Sequence, residues 1–380
     1  MVSNKCLPVA GFCLVAVALA AIQSGCGSPE SAAGSSAPGT LCCEQKAKEQ
    51  PGEEPALVPE IEPPSETVST TDVSAGTVPK VPLGLPPLPV PDDNPMTAEK
   101  IALGRLLYFD KRLSKDGTIS CATCHDPKVA WTEDRATSKG IDGQIGGANS
   151  PTVINSAYAK AQFWDGRAAT LEEQALGPME NPIEMGHKLD VLVTELEKIP
   201  EYKEGFQKVF STGVTKDGIA KAIAAFERTV LSGNSPYDQY EAGKKDALTA
   251  AQKRGLDLFN DYCATCHAPP LFSNYRYYNT GVGMDKKKPD EGRKAVTGKD
   301  RDLGKFRVPA LREVAATGPY FHDGSVKTLE EAVDIMAGGG KGDANVTVML
   351  KALREEDISK QDRKDLVEFL KALSGDYPRE

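Results

Sequence analysis

The chain has 380 residues, 40% of them hydrophobic and 26% charged, with a formal net charge of -9. An acidic balance with no block of Lys or Arg argues against nucleic acid as a partner, because phosphate binding needs a basic face. Length suggests two or three domains, but not all of it can be spent on cores.

Lys5, the apolar run from Leu7 to Ile22 and the pair Gly25-Cys26 have the order of a signal peptide, predicted over residues 1–25. A cysteine directly behind a small residue is where bacterial lipoproteins are cut and acylated. Cys26 is therefore the predicted lipidation site, although Gln23 stands where that pattern usually has Leu. An uncleaved membrane helix is the alternative, but the run falls short of the roughly 20 apolar residues a span needs. Residues 26–94 are rich in Pro, Gly, Ser, Thr and Glu and read as a disordered linker, stiffened toward polyproline from Pro79 to Pro91. Cys42 and Cys43 carry no assigned role.

From residue 95 onward the sequence is duplicated. Thr97-Ala98 leads through Gly104 and Tyr108 to Cys121-Ala-Thr-Cys-His125, and Thr249-Ala250 leads through Gly255 and Phe259 to Cys263-Ala-Thr-Cys-His267. Thr249 and Gln252 fit a capping box. Ile219, Ile223, Phe226 and Val230 share one stripe at helical period, as do Leu189, Leu192, Val193 and Leu196, and Leu366, Phe369, Leu370 and Leu373. No alternating strand pattern rivals them. The predicted fold is mainly α: two tandem cytochrome c-like helical domains, 95–240 and 241–380, behind a signal peptide and a Pro-rich tether.

Cys-x-x-Cys-His is the attachment signature of a c-type haem, in which both thiols bond the porphyrin and the histidine reaches the iron. Cys121, Cys124 and His125 form the first set, and Cys263, Cys266 and His267 the second. Zinc would want a further ligand pair, and a thioredoxin-like motif would want a βαβ context. Two covalent haems are the prediction.

The first half also contains Asn149-Ser-Pro-Thr-Val153, Gln162-Phe-Trp-Asp-Gly-Arg167, Gln174 and Asn181-Pro-Ile-Glu-Met-Gly186. The second adds Val308-Pro-Ala-Leu311 and Thr317-Gly-Pro-Tyr-Phe-His-Asp-Gly324. From about residue 95 to its end the chain resembles the bacterial dihaem cytochrome c peroxidases. The resemblance implies that peroxide reacts at the His125 haem and that the His267 haem receives electrons.

It implies Glu184 as the carboxylate that moves the peroxide proton, Gln174 as its companion and Trp164 as the aromatic residue between the haems. It further implies Met336 as the second ligand of the C-terminal iron, with Met284 and Met349 as fallbacks. Asn149, Thr317 and Pro319 match the family's calcium site, although none is a carboxylate. Many members carry a distal histidine where Ile141 stands here; isoleucine cannot ligate iron, so the N-terminal haem is expected to be open without prior reduction. His187 reads as a surface histidine starting the next helix, and His322 as a buried hydrogen-bonding group near haem or interface.

The expected partners are hydrogen peroxide and an electron donor, for which a small cytochrome c, a copper protein or a membrane quinol oxidoreductase would all serve. A periplasmic location with a lipid anchor is expected; the oligomeric state stays open, although members of the family commonly form homodimers. Two rival functions remain: an oxidase-like relative that modifies a protein, which the resemblance associates with tyrosine rather than methionine on the second haem, and a non-catalytic dihaem carrier.

Overall fold

The computed structural model describes residues 79–342 and 345–379. The expected signal peptide, Cys6, Cys13, Cys26, Cys42 and Cys43 lie outside the described residues. Among the described residues no helix is long and apolar enough to cross a membrane.

The helices in chain order are α1 (Ala98–Phe109), α2 (Cys121–Cys124), α3 (Leu171–Glu180), α4 (Leu189–Leu196), α5 (Pro200–Phe210), α6 (Lys216–Glu227), α7 (Pro236–Glu241), α8 (Ala250–Tyr262), α9 (Arg293–Thr297), α10 (Leu329–Ala337), α11 (Val348–Ala352) and α12 (Lys360–Lys371). The one ladder of strands among the described residues is a pair of two-residue strands, β1 (Tyr277–Tyr278) antiparallel to β2 (Phe306–Arg307). Thr97 caps α1 by accepting from the Lys100 amide, and Thr249 with Gln252 forms the expected capping box on α8. These caps satisfy amides that a helix start leaves without partners.

Each domain is organised around one close helix crossing. A Cβ added to Gly104 on α1 would lie 1.9 Å from the Ala222 carbonyl oxygen of α6, and one added to Gly255 on α8 would lie 2.0 Å from that of Asp365 on α12. Only glycine lets the backbones approach so far. Beside each crossing sits an aromatic trio. Tyr108, Trp131 and Phe226 have ring centroids 5.1 to 5.9 Å apart, and Phe259, Phe272 and Phe369 have centroids 5.0 to 6.2 Å apart. The apolar stripes read from the sequence face these two cores.

Gly255→Ala therefore lowers the holoprotein's melting temperature. A mid-helix Ala gains about 1 kcal/mol of propensity over Gly, but overpacking against a rigid helix costs about 1–3 kcal/mol, and the atom it meets is backbone. A Tm equal to or above wild type in a thermal melt would remove this account of the crossing.

The linker expected over 26–94 needs correction at its end, because residues 79–94 are built into the folded body. A Pro-rich strap forms no core of its own, yet its carbonyls accept from groups elsewhere. Leu83 O accepts from the Asn234 amide at 2.8 Å, Gly84 O from Arg312 Nη2 at 3.1 Å and Pro86 O from Tyr158 Oη at 2.9 Å. Asn94 is fully buried and donates to Glu172 Oε1 at 2.7 Å and Lys221 O at 3.0 Å. Below the strap, Arg312 and Asp238 form a buried two-bonded pair at 2.8 Å. Burial alone would raise the Asp238 carboxyl, but its bonds to Arg312 outweigh this and hold it below the usual range.

The two domains are tied reciprocally. The Asn149 amide donates to His322 O at 2.8 Å, and the Arg307 amide to Trp164 O at 2.8 Å. The C-terminal tail also returns to the N-terminal core, where Trp131 Nε1 donates to Pro378 O at 2.8 Å.

Candidate functional site

In the first motif, Ser120 precedes the single turn α2, which sets Cys121 and Cys124 three residues apart on one face. His125 then leaves the helix at φ -129 and ψ 65. In the second, α8 ends at Tyr262 and Cys263 caps it. None of these four cysteines is in a disulfide. Burial raises the Cys121 and Cys266 thiols, pushes Cys124 up to about 11 and Cys263 up to about 12. Burial also drives both motif histidines down to about 4, so each is a neutral imidazole at neutral pH.

Neutral imidazole is the form that binds a metal. His267 Nδ1 lies 3.0 Å from the Phe272 carbonyl, an acceptor only, so Nδ1 carries the hydrogen and Nε2 keeps its lone pair. His125 Nδ1 is buried and makes no well-formed hydrogen bond among the described residues, although the Trp131 and Pro151 backbones lie beside the ring.

Both motifs open into one cavity of about 970 Å³. Its wall includes the four cysteines and both histidines, and also Gln174, Glu184, Trp164 and Met336. Two half-buried thiols, a neutral imidazole and a largely apolar space at each motif fit a thioether-linked haem. The sequence-predicted residues thus converge, although they come from points more than 200 positions apart in the chain.

Glu184 is half-buried in the turn after α3. Its Oε1 accepts from Asn181 Nδ2 at 2.7 Å. Burial raises its carboxyl above the ordinary range, against the opposing pull of the Arg167 charge and the Asn181 bond. Trp164 Nε1 donates to Asn149 O at 2.8 Å, which fixes the indole on the wall between the motifs. Asn149, Thr317 and Pro319 also reach the cavity; Asn149 is buried, and its Nδ2 donates to Arg135 O at 3.0 Å.

The two halves share a repeat beyond the haem motifs. Phe163-Trp-Asp-Gly166 matches Phe321-His-Asp-Gly324, and Thr170-Leu-Glu-Glu173 matches Thr328-Leu-Glu-Glu331. Phe163 and Phe321 both adopt positive φ, at 65° and 67°, which non-glycine residues rarely do. Trp164 and His322 are thus counterparts, as are Asn149 and Arg307, and this explains the reciprocal bonds between domains.

Along the matched helices α3 and α10, Leu171 faces the cavity like Leu329, and Pro178 stands where α10 places Met336. Proline has no atom that can ligate iron. One half of the cavity is therefore given a thioether and the other is not. The repeated Thr-Leu-Glu-Glu was the sequence signal that could have found this pairing.

His187 requires correction. It lies two residues before α4, and it is buried at 5% exposure, not on the surface, with Nε2 3.1 Å from Glu195 Oε2. Glu195 is eight positions away on α4, so only the folded helix supplies this partner. His187 is not on the cavity wall. Ile141 is likewise buried off that wall, its amide donating to Glu184 O at 2.9 Å and its side chain against Gly186, so it anchors the turn that carries Glu184.

His322 is buried, stacks on Phe306 with ring centroids 3.5 Å apart and lies 3.0 Å from Asp290 Oδ2. Asp290, His322 and Asp323 converge closely enough to suggest a cation site, but Lys286 Nζ already lies 2.9 Å from Asp290 and 3.2 Å from Asp323. Met284 is off the cavity wall, whereas Met349 reaches it from an exposed position.

Known proteins resemble this chain in both halves. The model of the di-haem cytochrome c peroxidase family matches residues 98–246, and that of cytochrome c matches residues 252–374. Cytochrome c peroxidase Ccp of Escherichia coli is 43% identical over 77% of this chain, and the match spans 62% of that longer protein. Cytochrome c551 peroxidase of Nitrosomonas europaea is 41% identical, covering 76% of this chain and 84% of its own length. Among solved structures, a MauG-like protein associated with microbial copper homeostasis is 35% identical with a TM-score of 0.71, over 78% of this chain and 95% of that one.

Proposed function

The chain belongs to the di-haem cytochrome c peroxidase family, and we propose that within it the protein reduces hydrogen peroxide to water at the N-terminal haem with electrons entering at the C-terminal haem. The observation that carries this reading is the asymmetry of the matched helices, Met336 on one and Pro178 on the other, with Glu184 on the side that lacks the methionine.

When bound, the haems supply iron that can coordinate peroxide and exchange electrons. The residues of the chain do the rest. His125 and His267 offer neutral Nε2 to each iron, and Met336 offers sulfur to the second, a pairing that raises potential and suits electron transfer. Glu184 takes a proton from the near peroxide oxygen and returns it to the leaving one, the part of a general acid and base. Asn181 holds that carboxylate in place, and Ile141 and Gln144 hold the turn, through Glu184 O and through Pro182 O at 3.0 Å. Gln174 and Trp164 complete the wall, with Trp164 bridging toward the second centre.

In the same reading a calcium ion sits at Asn149, Thr317 and Pro319 and steadies the domain contact through oxygen ligands. The donor is a small cytochrome c or copper protein. Export to the periplasm with acylation at Cys26, and pairing of two copies, complete it.

The likeness to a MauG-like protein supports a second reading, oxidation of a protein substrate. Peroxide turnover by the as-isolated, fully oxidised protein separates the two. Turnover without prior reduction is expected, because Ile141 cannot close the N-terminal iron. A low-spin bis-histidine spectrum of that iron, or no turnover with any small donor, overturns the peroxidase reading.

A further inference from the structure

The two halves also differ at a position that the peroxide chemistry above does not use. Ile223 and Glu227 of α6 line the N-terminal part of the cavity as Leu366 and Leu370 of α12 line the C-terminal part. The alignment is fixed by the crossings, where Gly104 meets Ala222 and Phe226 as Gly255 meets Asp365 and Phe369. Glu227 therefore stands where the other domain has Leu370. It is 5% exposed, and its Oε2 has no hydrogen-bond partner among the described residues. A buried, unpartnered carboxyl costs stability that a leucine would not, and the architecture does not require it, since the second domain is built without one.

The charged and titratable groups that face it are few. Arg228, which caps the same helix, has Nη1 2.8 Å from Glu172 Oε1 of α3, while its Nε is buried without a hydrogen bond among the described residues, and its charge opposes the effect of burial on Glu227. Glu172 is held in turn by Asn94, which also accepts from Lys100 of α1 at 2.8 Å. Cys121 of α2 is the remaining neighbour, and as a thioether it carries no charge. Glu227 is left on the haem wall with Arg228 as its neighbouring cation and no hydrogen bond to Oε2 among the described residues.

We propose that Glu227 is the proton-holding group of the N-terminal haem, binding one proton when that iron gains an electron and releasing it when the electron leaves. The inference rests on the first motif carrying haem. The step balances: one electron comes from the C-terminal centre, one proton comes from water onto the carboxylate, and the net charge of the pocket is unchanged. In a poorly screened interior this compensation matters, because an uncompensated charge change near iron is resisted. Leu370 cannot make the exchange at the other haem. Burial pushes the Glu227 carboxyl up to about 8, with Arg228 opposing and Glu172 reinforcing, which puts the exchange within reach of physiological pH.

The test is a spectroelectrochemical titration of the holoprotein, with each haem followed separately from about pH 6 to about pH 10, on either side of that value. The N-terminal potential is expected to fall as pH rises, approaching one proton per electron. Glu227→Gln loses that slope, while Glu184→Gln keeps it and the C-terminal haem responds to neither. A flat N-terminal titration in the wild-type protein overturns the proposal, as does an unchanged slope in Glu227→Gln. If the glutamine variant fails to load haem, Glu227→Leu, which copies the second domain, serves in its place, and the wild-type titration decides by itself. Absence of haem mass at the first motif overturns the haem reading itself, and a flat titration of a fully loaded protein does not mimic that result.

Discussion

Glu184→Gln lowers peroxide turnover by roughly 100- to 10,000-fold, the contribution ordinarily made by one positioned general acid and base. Glutamine keeps the shape and can still bond Asn181, so haem content and melting temperature stay near those of the wild type. What is lost is the ability to take and return a proton. The pH profile adds a second readout. Burial raises the Glu184 carboxyl, so in the wild type the base form is lost, and kcat/KM falls, at a pH above that of a free glutamate as acid is added. The variant shows low activity without that acid limb. Wild-type rates in Glu184→Gln would place proton transfer elsewhere on the wall and end the assignment.

Met336→Leu slows electron entry. Leucine fills the space on α10 but offers no lone pair, so under the proposed ligation the C-terminal iron would lose the ligand that raises its potential. Reduction by the donor is expected to slow at least tenfold, the low-spin methionine signature to disappear from the magnetic spectra, and the potential to fall. Met349→Leu is the control, since Met349 also reaches the cavity, and Met284→Leu is a second, since Met284 does not. If Met349→Leu removes the signature and Met336→Leu leaves it, the match between α3 and α10 does not govern ligation.

Some of this protein is readable from neighbours along the chain. Cys-x-x-Cys-His declares its chemistry within five residues, because attachment to a porphyrin needs two thiols and an imidazole at that spacing. The capping box at Thr249 and the stripe from Ile219 to Phe226 are equally local, since caps and helical period involve residues within a turn or two. Glu184 and Met336 were reachable through resemblance, but their separate identities become physical only when α3 and α10 are laid over one another and Pro178 answers Met336.

Other features depend on partners that no local pattern announces. The Pro-rich strap reads as unable to fold because it lacks apolar bulk, yet Asn234, Arg312 and Tyr158, all more than 70 positions away, supply donors to its carbonyls. His187 reads as a surface residue until α4 brings Glu195 to it. No local pattern sets Glu227 apart, and it is buried because α6 crosses α1 at Gly104. Covalent spacing and helical period are written in the order of residues, because the forces behind them act over a few bonds. Whether a polar group ends up buried, paired or orphaned depends on which distant helix packs against it, and that follows from close packing of the whole body.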